Sequence, residues 1–185
     1  MVKCVTTHIL KPPYLLRMSC PCLLPEPNYP NTAAWGPLLW CILHGLAEHA
    51  GSSKIQLLLD DERRAWLHFF KETGDIIPCP TCKKHYMEYL ANHPIIALKA
   101  LPHSERRLWI TTWYWELHNY VNASLGKPQF LQSDLTANYG SVNLHETLAK
   151  LEAPIKTAIK LTGTNLLKFI EWKRRLTILF TFVGV

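Results

Sequence analysis

Long apolar runs are missing from this 185-residue chain. No stretch reaches the roughly 18 residues that a bilayer crossing needs, and the apolar stretch 176–185 is too short. A secretory leader is not expected either, because Pro12 and Pro13 interrupt any apolar segment near the start. The chain is therefore read as soluble. Clustered positive charge is also scarce. The formal net charge is +6, from 20 Lys and Arg against 14 Asp and Glu, yet no basic run precedes Lys173-Arg174-Arg175. Nucleic acid is not an expected partner on that distribution. Strand-like alternation, hairpin dipeptides, internal repeats and low-complexity tracts are absent from the central part of the sequence, which argues against β and repeat architectures.

What is present is helical periodicity. Residues 1–30 carry prolines at 12, 13, 21, 25, 27 and 30 and read as an extended arm. From Asn31 or Thr32, a capped helix runs through Trp35, Leu39, Ile42, Leu43 and Leu46 towards Gly51. A second helix carries apolar residues at 55, 58, 59, 65, 66, 69 and 70 and is expected to stop at Gly74. A third opens at Pro78-Cys79-Pro80 and ends before Pro94. The fourth starts near Ser104, presents 110, 114, 117, 121 and 125, and ends before Gly126. Four helices with short links predict an all-α four-helix bundle over residues 31–140. In the extension 141–185, a helix over 143–152 should break at Pro154, and helical pattern returns over 164–175. The stretch 176–185 is apolar and rich in β-formers.

Six cysteines stand at 4, 20, 22, 41, 79 and 82, and their close pairs suggest redox or metal chemistry. Cys79-Pro80-Thr81-Cys82 sits on a first helical turn, where free amides and the helix dipole favour a thiolate; Lys83 and Lys84 add positive charge. A thioredoxin-like fold would want a strand before the motif, whereas a helix containing Trp66, Phe69 and Phe70 precedes it. Zinc is the other alternative, with Cys79, Cys82 and His85 as ligands and Cys20 or Cys22 to complete the set. No second CxxC or HxxxH at finger spacing supports it, and no metal is expected.

Two further stripes accompany the dithiol. On the fourth helix, Trp115, His118, Asn119 and Asn122 lie within about 100° of one another, away from the apolar face. A buried stripe of that kind suits a flat, polar-edged ring, and Lys127 just beyond could meet a pyrophosphate. Left exposed, the same stripe would be a solvated face. On the first helix, Trp40 and His44 are i, i+4 neighbours able to line one pocket, although aromatics and histidines at such spacing are also ordinary core. Three stripes in one small bundle favour a cofactor between the helices.

These blocks resemble the flavin-linked sulfhydryl oxidases of the Erv/ALR type. The first is Trp35, Gly36, Trp40 and His44; the second is Pro78, Cys79, Cys82 and His85. The third is His118, Asn119, Val121, Asn122, Leu125, Lys127 and Pro128, with Trp113 and Tyr139 also fitting the family pattern. The match covers roughly residues 31–140. The resemblance implies a bundle with a short fifth helix, non-covalent FAD at the bundle end, and a homodimer. It implies cofactor contacts from Trp35, Gly36, Trp40, His44, His85, His118, Asn119, Asn122, Leu125, Lys127 and Tyr139. One departure is informative: where many cellular members carry a further disulfide, this chain has Trp115 and Gln132. That points to the compact members of large DNA viruses, with host cytoplasm and virion as the location. A cellular member would sit in the mitochondrial intermembrane space.

By the same resemblance, Cys82 is the flavin-side cysteine and Cys79 exchanges with client or thioredoxin-like dithiols, the electrons passing to O2 to give H2O2. Cys20 and Cys22 on the arm are the candidate shuttle pair, or else two thiols with no redox role. Cys41 is expected to be a buried thiol. Residues 141–185 lie beyond the catalytic unit, and their mixture of basic and apolar residues suggests docking to a larger, capsid-like assembly. The other readings are docking back on the bundle or lying on a membrane surface. A structural protein on an oxidase-like scaffold is the rival reading of the whole chain.

Overall fold

The computed structural model describes residues 30–185, in which seven helices and no strand occur. Asn31 caps α1 (Thr32–Glu48) by accepting the Ala33 N–H at 3.0 Å. α2 (Leu59–Ile76) starts on Asp60, Asp61 and Glu62, acidic residues that suit the positive end of its dipole. It runs through Gly74 rather than stopping there. A Cβ on Gly74 would lie 2.5 Å from Met87 Sδ and 3.1 Å from Tyr86 Cδ1, so this glycine permits close approach of the next helix. That helix, α3 (Pro80–Asn92), is capped by Cys79 and has proline in its first turn. α4 (Arg106–Ser124) and the short α5 (Leu135–Tyr139) complete the expected unit.

The core is aromatic where α2, α3 and α4 meet. Phe70 stacks on Tyr114 at 4.8 Å and meets Trp113 edge-on at 4.7 Å, while Tyr86 donates to Phe70 O at 2.6 Å. Buried Glu62 ties the elements at the other end of α2. It accepts from Gly51 N and Trp66 Nε1, and pairs with His103 and Arg106.

Two expectations for the extension are corrected. Pro154 does not break the chain, because α6 (Leu144–Lys160) continues through it, burying Leu144, Leu148, Leu151, Ile155 and Ala158 along one face against α1. The stretch 176–185 is not an exposed β-prone tail either, since α7 (Leu166–Val183) continues through most of it and packs on α2. Its Phe169, Trp172, Leu176, Leu179, Phe180 and Val183 recur at helical spacing, and burial of that face overrides β-propensity. Trp172 is fully buried, stacks on Phe69 at 5.6 Å and donates its Nε1–H to Thr73 Oγ1 at 3.0 Å. Ser52 Oγ donates to Val183 O, and Thr164 Oγ1 to Ile76 O, fixing both ends of α7. The segment thus shares one hydrophobic core with the bundle, and the apolar residues assigned to docking lie mostly inside it.

Candidate functional site

Three helices, α1, α4 and α5, build the aromatic part of the site. α1 and α4 lie side by side, and His44 Nε2 stands 3.0 Å from His118 Nδ1, one ring donating and the other accepting. Trp40, one turn before His44, lies flat on His118 with centroids 4.0 Å apart and planes 6° from parallel. α5 brings Tyr139 against the other imidazole, 4.5 Å from His44. That approach depends on Gly45, where a Cβ would come within 2.9 Å of Leu144 Cδ2 and 3.4 Å of Tyr139 O. Glu48 holds the same corner, accepting from Thr136 Oγ1 at 3.0 Å and from Arg107 at 2.6 Å. The sequence blocks therefore bring Trp40, His44, His118 and Tyr139 together.

Phe130 completes this wall and was not among the expected residues. Its ring centroid lies 6.0 Å from His118 and 5.9 Å from Tyr139. An aromatic two residues beyond Pro128, in the stretch leading from α4 to α5, was the only available signal. Trp35, in contrast, lies about 140° around α1 from Trp40 and faces the core. Gly36 has no heavy atom within 4 Å of a notional Cβ. Asn119 is buried, and its amide is engaged by the Phe130 backbone. Asn122 receives the Lys127 N–H on its carbonyl at 2.9 Å, while Leu125 and Lys127 are exposed. His85 stands apart on α3, edge-on to Tyr120 at 6.2 Å. A separate concavity of about 620 Å³, lined by Pro94, Leu101, Leu108, Trp109 and Trp113, lies along the N-terminal half of α4. It shares no residue with this wall.

Both histidines are neutral at pH 7. Burial, then His118 beside it, lowers His44 from its ordinary 6.5 to about 3. Burial, then the Lys127 ammonium, lowers His118 to about 4. The unfolded chain binds more protons between pH 6.5 and 4, so the stability these groups contribute is complete above pH 6.5 and falls as acid is added. A melting series on cofactor-free protein should show Tm dropping over that window, and His118→Gln should flatten the drop. A Tm independent of pH there would contradict the burial of these rings.

The dithiol sits at the N-terminus of α3. Cys79 Sγ accepts the Cys82 N–H at 3.3 Å, the contact a negatively charged sulfur favours at a helix start. Burial, followed by its contacts with Cys79, pushes the Cys82 thiol up to about 12, so this sulfur holds its proton. Lys83 pairs with Asp75 at 3.5 Å and Lys84 with Glu88 at 3.6 Å, so neither is an unopposed charge beside the sulfurs. Cys41, half-buried on α1, is raised by burial. Cys4, Cys20 and Cys22 lie outside the described residues.

FAD is the cofactor that this donor set invites. His44 Nδ1 is buried without a hydrogen-bond partner in a wall of flat rings, and a buried unpaired nitrogen is costly unless a ligand meets it. Trp40, His44, His118, Phe130 and Tyr139 would hold such a group, with the Lys127 ammonium near His118 available to a phosphate.

Known proteins place the chain. It is 28% identical over 109 residues to a putative FAD-linked sulfhydryl oxidase of Frog virus 3, covering 58% of this chain and 67% of that protein. It is 29% identical over 105 residues to a putative FAD-linked sulfhydryl oxidase of Invertebrate iridescent virus 3, covering 57% of this chain and 65% of the other. The FAD-linked sulfhydryl oxidase ERV1 of Oryza sativa subsp. japonica is 27% identical over 117 residues, covering 63% of this chain and 55% of its own length. The matched stretch thus spans between about half and two thirds of these relatives. No solved structure matches. The Erv1 / Alr family model matches residues 37–140, from within α1 to the end of α5, and the chain belongs to that family.

Proposed function

We propose that this protein is an FAD-dependent sulfhydryl oxidase that forms disulfides in client dithiols through Cys79 and Cys82. The observation that carries the reading is a dithiol at a helix N-terminus in the same small bundle as a stacked imidazole wall with an unpaired buried nitrogen. Three relatives that bear the name FAD-linked sulfhydryl oxidase, two of them as putative ones, support it. In outline, a client thiolate attacks Cys79 Sγ of the Cys79–Cys82 disulfide, and Cys82 leaves with the bonding pair and takes up the proton that the client's second thiol gives up. The client's second thiolate then attacks its own sulfur in the mixed disulfide, and Cys79 leaves. The Cys82 N–H stabilises that departing Cys79 sulfur. FAD, when bound, supplies the two-electron relay from the reduced pair to O2, which with two protons becomes H2O2. Purified protein should be yellow, with flavin absorbance and thiol-dependent peroxide release. A colourless protein with no affinity for added FAD would leave the structural-scaffold reading in its place.

The same proposal includes a shuttle at Cys20 and Cys22. The Cys20→Ser/Cys22→Ser protein should lose most of its turnover on a protein dithiol yet keep it on dithiothreitol, which reaches Cys79 directly. Equal loss on both substrates, or none on either, would remove the shuttle. A viral setting, in host cytoplasm and virion, is supported by two viral proteins among the relatives. Pairing with a second copy and docking to a larger assembly are the remaining parts. Leu166, Leu167 and Ile170 on the outer side of α7 are the exposed apolar residues of the extension helix available for docking.

A further inference from the structure

The connection from α4 to α5 is mostly exposed at Lys127, Pro128, Gln129 and Leu131, yet the backbone of one residue in it is held by three hydrogen bonds. Trp115 Nε1 donates to Phe130 O at 2.7 Å, and Asn119 Nδ2 donates to the same oxygen at 3.0 Å. The Phe130 N–H donates in turn to Asn119 Oδ1 at 2.8 Å. Both lone pairs of the Phe130 carbonyl and the residue's only backbone donor are thereby used, and Asn119 engages the Phe130 backbone with both ends of its amide. Trp115 and Asn119 are four residues apart on one helix, so α4 presents them as a single rigid jaw. Gln132 Nε2 adds a bond to Thr112 Oγ1 at 3.1 Å, one turn earlier on α4. The consequence is that the Phe130 ring is held beside His118, His44 and Tyr139.

We propose that Trp115 and Asn119 are positioning residues, which act through the Phe130 backbone to close the wall of the FAD site. This rests on the FAD reading above. Nothing in the clasp is covalent, and none of the cysteines Cys41, Cys79 and Cys82 takes part in it, so thiol reductants in the assay leave the site's wall intact. Asn119 on this view serves the loop and not the cofactor directly.

Three variants test the proposal: Trp115→Phe, which keeps a ring and deletes one donor; Asn119→Asp, which keeps the size and sets a carboxylate oxygen against the Phe130 carbonyl; and the two combined. The FAD dissociation constant is read by flavin fluorescence, and Phe130 amide exchange is followed in the cofactor-free protein. Trp115→Phe should weaken FAD about tenfold and Asn119→Asp about a hundredfold, the range for one lost bond and for a buried mismatch. Because both act on one carbonyl, the double variant should be no weaker than roughly the Asn119→Asp protein alone. Phe130 amide exchange should quicken in Asn119→Asp. As a control, Thr73→Val in the α2–α7 contact should lower Tm without moving FAD affinity. Strictly additive losses would mean that Asn119 meets FAD itself, and would overturn the proposal, as would unchanged FAD affinity or unchanged Phe130 exchange in folded variants. If Asn119→Asp fails to fold, Trp115→Phe decides alone against the control. A parent protein that binds no FAD would refute the functional reading, which a parent that binds while its variants match it would not.

Discussion

The Cys82→Ser protein should bind FAD as the parent does and oxidise no thiol. Cys82 packs at the edge of the core on the first turn of α3, and the aromatic wall is built by α1, α4, α5 and Phe130. Serine fits the same half-buried position with a smaller side chain, so the fold has little reason to change. What disappears is the partner sulfur: without it no Cys79–Cys82 disulfide can form, and the protein has nothing to hand to a client thiolate. Turnover should fall by at least about three orders of magnitude, the scale for deleting the reacting atom of a covalent mechanism. Cys79→Ser should lose turnover equally but for a different reason. Serine is a strong N-cap, so α3 should start as well as before, while the atom that meets the client is gone. Stopped turnover with unchanged flavin absorbance and unchanged helical circular dichroism is the expected pair of results. Near-parental thiol oxidation by either variant would remove Cys79 and Cys82 from the active role.

What is legible in the sequence and what only the fold shows divide along physical lines. The starts of α1 and α3 were legible because a capping Asn31 and the Pro80 first turn are local signals. The end of α2 was not, since Gly74 looks the same in sequence whether it ends a helix or admits Tyr86 and Met87 against one. At Pro154 and in 176–185, local preference pointed one way and burial the other. A proline inside a helix costs about 3 kcal/mol, and α6 accepts that cost while burying Leu148, Leu151 and Ile155 on one face. In α7 the spacing Phe169, Trp172, Leu176, Leu179, Phe180, Val183 was present in the letters, but β-branched Thr177, Ile178 and Thr181 between them masked it. Within the site, residue types were readable and partnerships were not. Asn119 reads as a cofactor amide on a helical stripe, and only the return of the chain at Phe130 shows which residue's backbone it holds.

Loss of the C-terminal helices should cost the protein its fold. Truncation after Gly140 removes α6 and α7, uncovering the α1 face at Gly45 and the α2 face at Phe69 and Thr73. Trp172 gives the graded version of the same experiment. It is fully buried, so Trp172→Ala should cost about 3–5 kcal/mol through lost burial and the cavity left behind. The stacking on Phe69 and the bond to Thr73 disappear with it. For a chain of this length each kcal/mol moves Tm by roughly 2–4 °C, so a drop on the order of 6–20 °C is expected. Domains are stable by only about 5–15 kcal/mol in total, and the truncation removes Phe169, Leu176, Leu179 and Phe180 besides Trp172. The 1–140 fragment should therefore be insoluble or should bind hydrophobic dyes, with no cooperative melt and no flavin. Trp172→Phe, which keeps most of the apolar bulk and loses the Nε1 donor, should fall between parent and Trp172→Ala. A truncated protein that melts cooperatively and stays yellow would show that α6 and α7 are accessory to the bundle, and would return the extension to the docking role its composition suggested.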